Sequence, residues 1–142
     1  MTFSKATLLG LKSLHVMCKN DSKVYYSVGD LSYLLECSKS YLNKVMKVLV
    51  KVGIIDSKTG PGKGYIFKRD PSSIKLIEVV QALENMSVFT SCFFGLDDCS
   101  DANPCVFHHE YDDFRNKLLD KLYNTNIVEA SKDSWKIFNS YH

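Results

Sequence analysis

Three of the chain's five cysteines and two of its four histidines fall in the segment SCFFGLDDCSDANPCVFHH, residues 91–109. The candidate ligands are spaced Cys92-x6-Cys99-x5-Cys105-x2-His108. Structural zinc sites are usually built from two tight pairs, about C-x2–4-C or H-x3–5-H. Only Cys105 and His108 stand that close here, one turn apart at a predicted helix start, where the dipole of the first turn favours thiolate. Sulfur ligands favour iron, and wide gaps wrap a multi-atom cluster. The spacing therefore favours an iron–sulfur cluster and leaves a zinc site open. An odd number of cysteines in a reducing compartment makes a disulfide framework the weaker expectation. Cys18 and Cys37 lie in helical, apolar surroundings and read as buried thiols. Cys92, beside Phe93 and Phe94, also fits a packed thiol, whereas the acidic and Pro-containing flanks of Cys99 and Cys105 read as exposed loop.

The elements around this loop must say what it controls. Residues 4–18 carry Leu8, Leu11, Leu14, His15 and Cys18 at helical spacing. Ser27-Val-Gly-Asp30 is a capping-box-like start for a second helix with Leu31, Leu34 and Leu35. After a short break, Ser38 can cap a third helix to about Lys51, with Leu42, Val45, Leu49 and Val52 facing inward. The outer face of that helix carries Lys39, Ser40, Asn43, Lys44, Lys47 and Lys51. Lysines there can meet phosphates, while Ser40 and Asn43 can reach base edges from a major groove; a merely solvated lysine face is the plain alternative.

Gly53 then ends the helix, Ile54 to Ser57 forms a strand, Lys58-Thr59-Gly60-Pro61-Gly62-Lys63-Gly64 is a basic glycine-rich turn, and Tyr65 to Phe67 returns. The glycines sit between two strands and do not open a helix, which excludes a dinucleotide-binding loop. A basic hairpin after a basic helix is a wing, able to set lysines against a DNA backbone or minor groove. A further helix is predicted from Asp70 to about Asn85, with Ile74, Ile77, Val80 and Leu83 inward. Beyond the cysteine loop, Phe107, Tyr111, Phe114, Leu118 and Leu122 form an apolar stripe on a long helix expected to pair with a second copy. Trp135, Phe138 and Tyr141 read as packing against it.

Charge supports this division. Residues 39–69 carry seven lysines and Arg69 against one acid, Asp56, whereas residues 78–113 carry eight acids and no lysine or arginine. One part suits a polyanion and the other repels it. No apolar run reaches the roughly 18–20 residues of a membrane span. The N-terminal stretch, broken by Lys12 and His15, reads as a helix and not a signal peptide. A cytoplasmic protein is expected. No Ser/His/Asp or paired-carboxylate arrangement points to an enzyme, and no small-molecule substrate is expected.

The whole chain resembles the IscR/NsrR type of bacterial winged-helix transcription regulators. The residues that carry the likeness are SKSYLNKVMKVLVKVGIIDSKTGPGKGY (38–65), IKLIEVVQALE (74–84), and the three cysteines with His108 ahead of the long helix. The resemblance implies a mainly α fold with a small β-hairpin wing, a winged helix-turn-helix followed by a long dimerisation helix. The divisions are residues 1–85 for DNA binding, 86–106 for the cluster loop, and 107–142 for the dimerisation helix and tail. It implies a homodimer on double-stranded operator DNA whose affinity is switched by a cluster, 2Fe–2S in preference to 4Fe–4S. Cys92, Cys99, Cys105 and His108 are the implied ligands, with His109 the rival for fourth place. Ser40, Tyr41 and Asn43 are implied DNA contacts, joining Ser38, Lys39, Lys44 and Lys47 on the helix and Lys58, Thr59, Gly60, Pro61, Gly62 and Lys63 in the wing. Thr59 and Lys63 depart from the arginine and glycine common in that family. Two other functions fit the residues: a cluster-free thiol–disulfide switch, and a winged helix that binds a protein partner.

Overall fold

The structure is a computed structural model and describes residues 2–133; Trp135, Phe138 and Tyr141 lie outside the described residues. It contains helices α1 (Lys5–Asn20), α2 (Val28–Leu35), α3 (Lys39–Lys51), α4 (Leu76–Leu83), α5 (His108–Asn124) and α6 (Ile127–Asp133), and strands β1 (Ile55–Lys58) and β2 (Gly64–Phe67). The expected class, mainly helical with a hairpin wing, is the one observed.

Serine caps set the first three helices. Ser4, Ser27 and Ser38 each accept from the backbone N–H three residues on, at Thr7, Asp30 and Tyr41 respectively, which satisfies donors that the first turn leaves free. α1 packs against α2, α3, α4 and α6, so it buries more than one stripe: Leu9, Leu11, Leu14, His15 and Met17 are all inside. Gly10 permits the closest approach, since a Cβ there would stand 2.4 Å from Leu83 Cδ1. α2 ends at Glu36 in the left-handed conformation (φ 52°), and the chain turns at once into α3, whose Leu42, Val45, Met46 and Leu49 are buried.

Val52 does not face inward as the periodicity predicts. It is the C-cap residue and 50% exposed, because Gly53 (φ 81°) turns the chain and delivers Ile54 and Ile55 to the core in its place. β1 and β2 pair antiparallel from Ile55↔Phe67 to Lys58↔Gly64. Tyr26, just before α2, adds a bridge to Tyr65 through two backbone bonds of 2.8 Å, so the wing stem is hydrogen-bonded on both sides. Only glycine fits beside that bridge: a Cβ on Gly64 would lie 2.2 Å from the Tyr26 carbonyl oxygen.

The helix predicted from Asp70 is broken. Asp70 caps a short 3₁₀ turn, Pro71–Ser73; Ile74 and Lys75 are extended, and α4 starts only at Leu76. The extended pair is used in tertiary bonding. Leu76 N–H donates to Thr125 O and Ile127 N–H to Ile74 O, both at 2.9 Å, which ties the α5–α6 junction to the start of α4. Ile127 and Ala130 of α6 thereby enter the main core. A smaller core of Ile77, Val80, Phe89 and Leu122 joins α4 to α5. The α5 stripe accordingly splits: Leu122 is buried and Leu118 half-buried, while Phe107 and Phe114 are 44% and 50% exposed.

Two glycine substitutions separate the wing stem from a helix interior. Gly64→Ala is expected to destabilise by about 2 kcal/mol or more, because backbone must move and the Tyr26–Tyr65 bridge must open. Gly29→Ala, inside α2 with no atom nearer than 3.8 Å to the added Cβ, should be neutral or stabilise by roughly 0.5–1 kcal/mol. Urea denaturation of the two variants checks both signs.

Candidate nucleic-acid interface and metal centre

α3 and the wing converge on one groove of about 440 Å³. Its walls include Lys39, Asn43 and Lys47 from α3 and Lys58, Thr59 and Lys63 from the wing. Ser27, Val28 and Gly29 at the start of α2 close the third side. Four ammonium groups beside the free amides of a helix N-terminus make this face attractive to phosphate oxygens. Lys39, Ser40, Tyr41, Lys44 and Lys47 are exposed, as are Lys58, Thr59, Gly60, Pro61, Gly62 and Lys63. Ser38 is exposed as a residue, yet its hydroxyl oxygen is committed to the α3 cap. Lys58 also lies over the Tyr25 ring, 5.6 Å from its centroid, a cation–π contact that steadies the wing tip.

Three residues around the wing escape a reading by periodicity. The Tyr25–Tyr26 pair looks like linker, and Tyr65 looks like an ordinary strand residue. Tyr65 is 5% exposed, burial pushes its phenol pKa up, and its O–H donates to Asn43 Oδ1 at 2.7 Å. Asn43 is therefore half-buried and braced from behind by the wing.

The cysteine loop gathers the expected ligands. The sulfurs of Cys92, Cys99 and Cys105 lie within 4.8 Å of one another, and Cys92 Sγ to Cys105 Sγ is 3.6 Å. His108, the first residue of α5, places Nδ1 3.2 Å from Cys99 Sγ. Its Nε2 meets Asp101 Oδ1 at 2.8 Å, a carboxylate partner of the kind that orients a metal-binding imidazole. His109 is exposed and turned edge-on to the His108 ring; it forms a second group only with Asp101 and His108.

Burial in the loop is partial, and its electrostatics are uneven. The backbone N–H of Leu96, with help from that of Phe94, holds the Cys92 thiol down to about 7. At Cys99 the Cys105 N–H pulls the other way, but lost solvation and the neighbouring thiols outweigh it and hold the thiol above its usual range. Asp101 is held below the usual carboxylate range by its hydrogen bond to His108 and by that ring's charge.

The donor set, three thiols and one imidazole, fits both iron–sulfur and zinc chemistry. The Cys92–Cys105 separation suits two thiolates on one tetrahedral metal, an arrangement common to both. With metal–sulfur bonds of about 2.3 Å, a tetrahedral ion sets its sulfurs roughly 3.8 Å apart, close to the Cys92–Cys105 distance. A two-iron cluster must spread two ligand pairs farther. The loop has room to do this, since Gly95 is open to solvent with φ 73° and residues 93–98 are exposed.

Arg115 holds the loop to α5 and is absent from any motif. It is buried, donates to the Ser91 carbonyl and, at 3.1 Å, to Asp112 Oδ1, and lies 4.8 Å over the Tyr111 ring. Phe93 packs edge-on against Phe107 and Tyr111, and Phe94 stacks on Phe107. These contacts fold residues 91–94 back over the start of α5, and the rings stay half open to solvent.

Comparison with known proteins agrees with this arrangement. Residues 3–133 match the profile of the Rrf2 family, described as iron-dependent transcriptional regulators. A putative HTH-type transcriptional regulator of Aquifex aeolicus is 24% identical over 131 residues, 91% of this chain and 90% of that protein. The HTH-type transcriptional regulator IscR of Vibrio campbellii is 32% identical over 107 residues, 75% of this chain; the match spans 63% of that protein. Among solved structures, the global cysteine regulator CymR of B. subtilis superposes with a TM-score of 0.75 at 19% identity, covering 92% of this chain and 96% of that one. IscR of T. potens gives 0.72 at 18% identity, covering 100% and 97%.

Two measurements test the loop chemistry. In metal-free protein, iodoacetamide should label Cys92 first, with a rate that rises through half-maximum near pH 7, because the thiolate is the nucleophile. Cys99 should lag until more alkaline pH; peptide mapping by mass spectrometry separates them. Arg115→Met should lower stability by about 1–3 kcal/mol and speed amide exchange across residues 91–106, while exchange in α3 stays protected.

Proposed function

The chain belongs to the Rrf2 family of transcriptional regulators, and on that premise we propose that it is a homodimer whose operator affinity is set by an iron–sulfur cluster in the cysteine loop. As a member of that family it is a DNA-binding regulator and not an enzyme. Among the described residues no helix is long and apolar enough to cross a membrane; a cytoplasmic location suits both DNA binding and reduced thiols.

The observation that carries the proposal is the gathering of three thiols, one of them Cys99 in contact with the His108 imidazole at the N-terminus of α5, on a loop bonded to the same helix that carries open aromatic rings. Cys92, Cys99, Cys105 and His108 would hold the cluster, 2Fe–2S in preference to 4Fe–4S. Such a cluster supplies a centre that changes with redox state, nitric oxide or iron–sulfur supply. Everything else is the work of this chain's own residues. Arg115 ties Ser91, at the loop's first root, to α5, and Phe89 beside it sits in the core shared by α4 and α5; the other root is the start of α5 itself. A loop drawn in around ligands and a loop released therefore bear differently on α5. If α5 pairs across a two-fold axis through Phe107 and Phe114, one helical heptad apart, that difference resets the spacing of two α3 helices. Differential DNA affinity of two loop states is all that such coupling needs.

For DNA, Lys39, Lys44, Lys47, Lys58 and Lys63 would meet phosphates; Ser40, Tyr41 and Asn43 would face bases; and the turn from Thr59 to Gly62 would follow the neighbouring groove. Ser38 contributes by fixing the start of α3.

A second reading is favoured by the 3.6 Å separation of Cys92 and Cys105 and the depressed Cys92 pKa. In it the pair is a metal-free thiol switch: a peroxide takes the two electrons and the two thiol protons, its O–O bond breaking to give water and an alcohol or a second water, as the S–S bond forms. Docking of the winged helix on a protein partner has no such observation behind it.

Anaerobic purification decides between the two. Iron and sulfide in equal amounts, lost on Cys99→Ser and on His108→Ala but kept in His109→Ala, would support the cluster. Operator affinity should then change by at least ~5-fold on cluster removal. A colourless protein that takes up no cluster on reconstitution, yet changes operator affinity with peroxide, would replace the cluster with the thiol switch. Lys47→Ala should lower the slope of log affinity against log salt by about 1 without changing sequence preference.

A further inference from the structure

We propose that Tyr65 sets the base preference of this protein by fixing which end of the Asn43 amide faces DNA, an inference that rests on the reading of Asn43 as a base contact. Tyr65 lies in β2 at the back of the groove behind Asn43, and no part of it need touch a base. Its ring is 5% exposed and its backbone is clamped by the paired bonds to Tyr26, 2.8 Å each, so the phenol cannot be withdrawn without opening the wing stem.

The phenol O–H reaches Asn43 Oδ1 at 2.7 Å. A primary amide is ambivalent: the oxygen accepts and the nitrogen donates, and when both face a base it reads adenine in a bidentate manner. Here the oxygen is turned back toward the protein. The alternative, with the amide turned over, would have Tyr65 accept from Nδ2 and leave its own buried proton without that acceptor, which is costly. The NH₂ end is thus the one left for the groove walled by Lys39, Lys47, Lys58 and Lys63. A group that only donates pairs with the acceptors of the major-groove edge, guanine O6 and N7, thymine O4 or adenine N7. It has nothing to offer cytosine, which presents the N4 amino group. The wing thereby takes part in direct readout through the recognition helix.

The test is selection of bound duplexes from a randomised pool, sequenced in depth, with the full-length wild type, Asn43→Ala and Tyr65→Phe. Asn43→Ala identifies the contacted position as the one whose preference flattens. At that position the wild type should disfavour cytosine by about tenfold against guanine or thymine, and Tyr65→Phe should narrow this to about twofold, because the freed amide can present either end. Affinity for generic duplex should stay within about twofold, and thermal melting should stay cooperative. A wild-type preference for cytosine at that position would overturn the proposal without use of the Tyr65 variant. So would a Tyr65→Phe profile identical to wild type where Asn43→Ala flattens it, which would leave Asn43 as a base contact that needs no bracing. An Asn43→Ala profile unchanged at every position would remove the base contact itself, and the proposal with it.

Discussion

Two backbone hydrogen bonds hold the two halves of this chain in one register: Leu76 N–H to Thr125 O and Ile127 N–H to Ile74 O. They join segments about fifty residues apart in sequence, across the whole cysteine loop and α5. Because Ile74 and Lys75 are kept extended to make them, α4 cannot begin at Asp70. Because Asn126 is held against Lys75, α5 must stop and α6 must turn back onto α1. The entry of Ile127 and Ala130 into the main core follows from this. So does the direction of α5, and with it the place where His108 meets Cys99. A loop whose two roots were not fixed in this way would have many ways to arrange its three thiols; this one has few.

Much of this was legible in the sequence where the cause is local. Serine caps, the αL glycine after α3 and the glycine-rich turn act over three or four residues, so Ser27, Ser38, Gly53 and the wing could be placed from the chain alone. The gathering of the three thiols was legible for a related reason, since soft donors are rare and three of them in one acidic loop have few structural uses. What stayed hidden depends on distant partners. The break at Ile74 answers to Asn126, and helical periodicity runs straight through it. Val52 continues the apolar spacing of α3 but falls after the geometry has changed hands to Gly53. Arg115 binds a carbonyl 24 residues away, and Tyr65 an amide 22 residues away; neither contact leaves a pattern in the residues around it.

The two sites differ in what protects them. The basic groove is lined by side chains on regular elements that the core fixes, and Asn43 is braced at its back. The thiol site sits on irregular backbone held at Ser91, at the aromatic contacts of Phe93 and Phe94, and at the start of α5. Rigid reading surfaces favour discrimination between sequences, while a loop with modest tethering can adopt more than one arrangement. The firmer site and the looser one thus lie in different parts of a small chain.

The Tyr26–Tyr65 bridge divides the wing into a stem and a tip. Gly64 and Tyr65 are locked to the segment before α2, whereas Gly60 and Gly62 have nothing within 4 Å of an added Cβ. Residues 59–63 therefore form an interchangeable cartridge on a fixed mount. For anyone wishing to redirect such a protein to new operators, that turn is the stretch to randomise first, because its length and charge can vary while the spatial relation of wing to recognition helix is inherited unchanged.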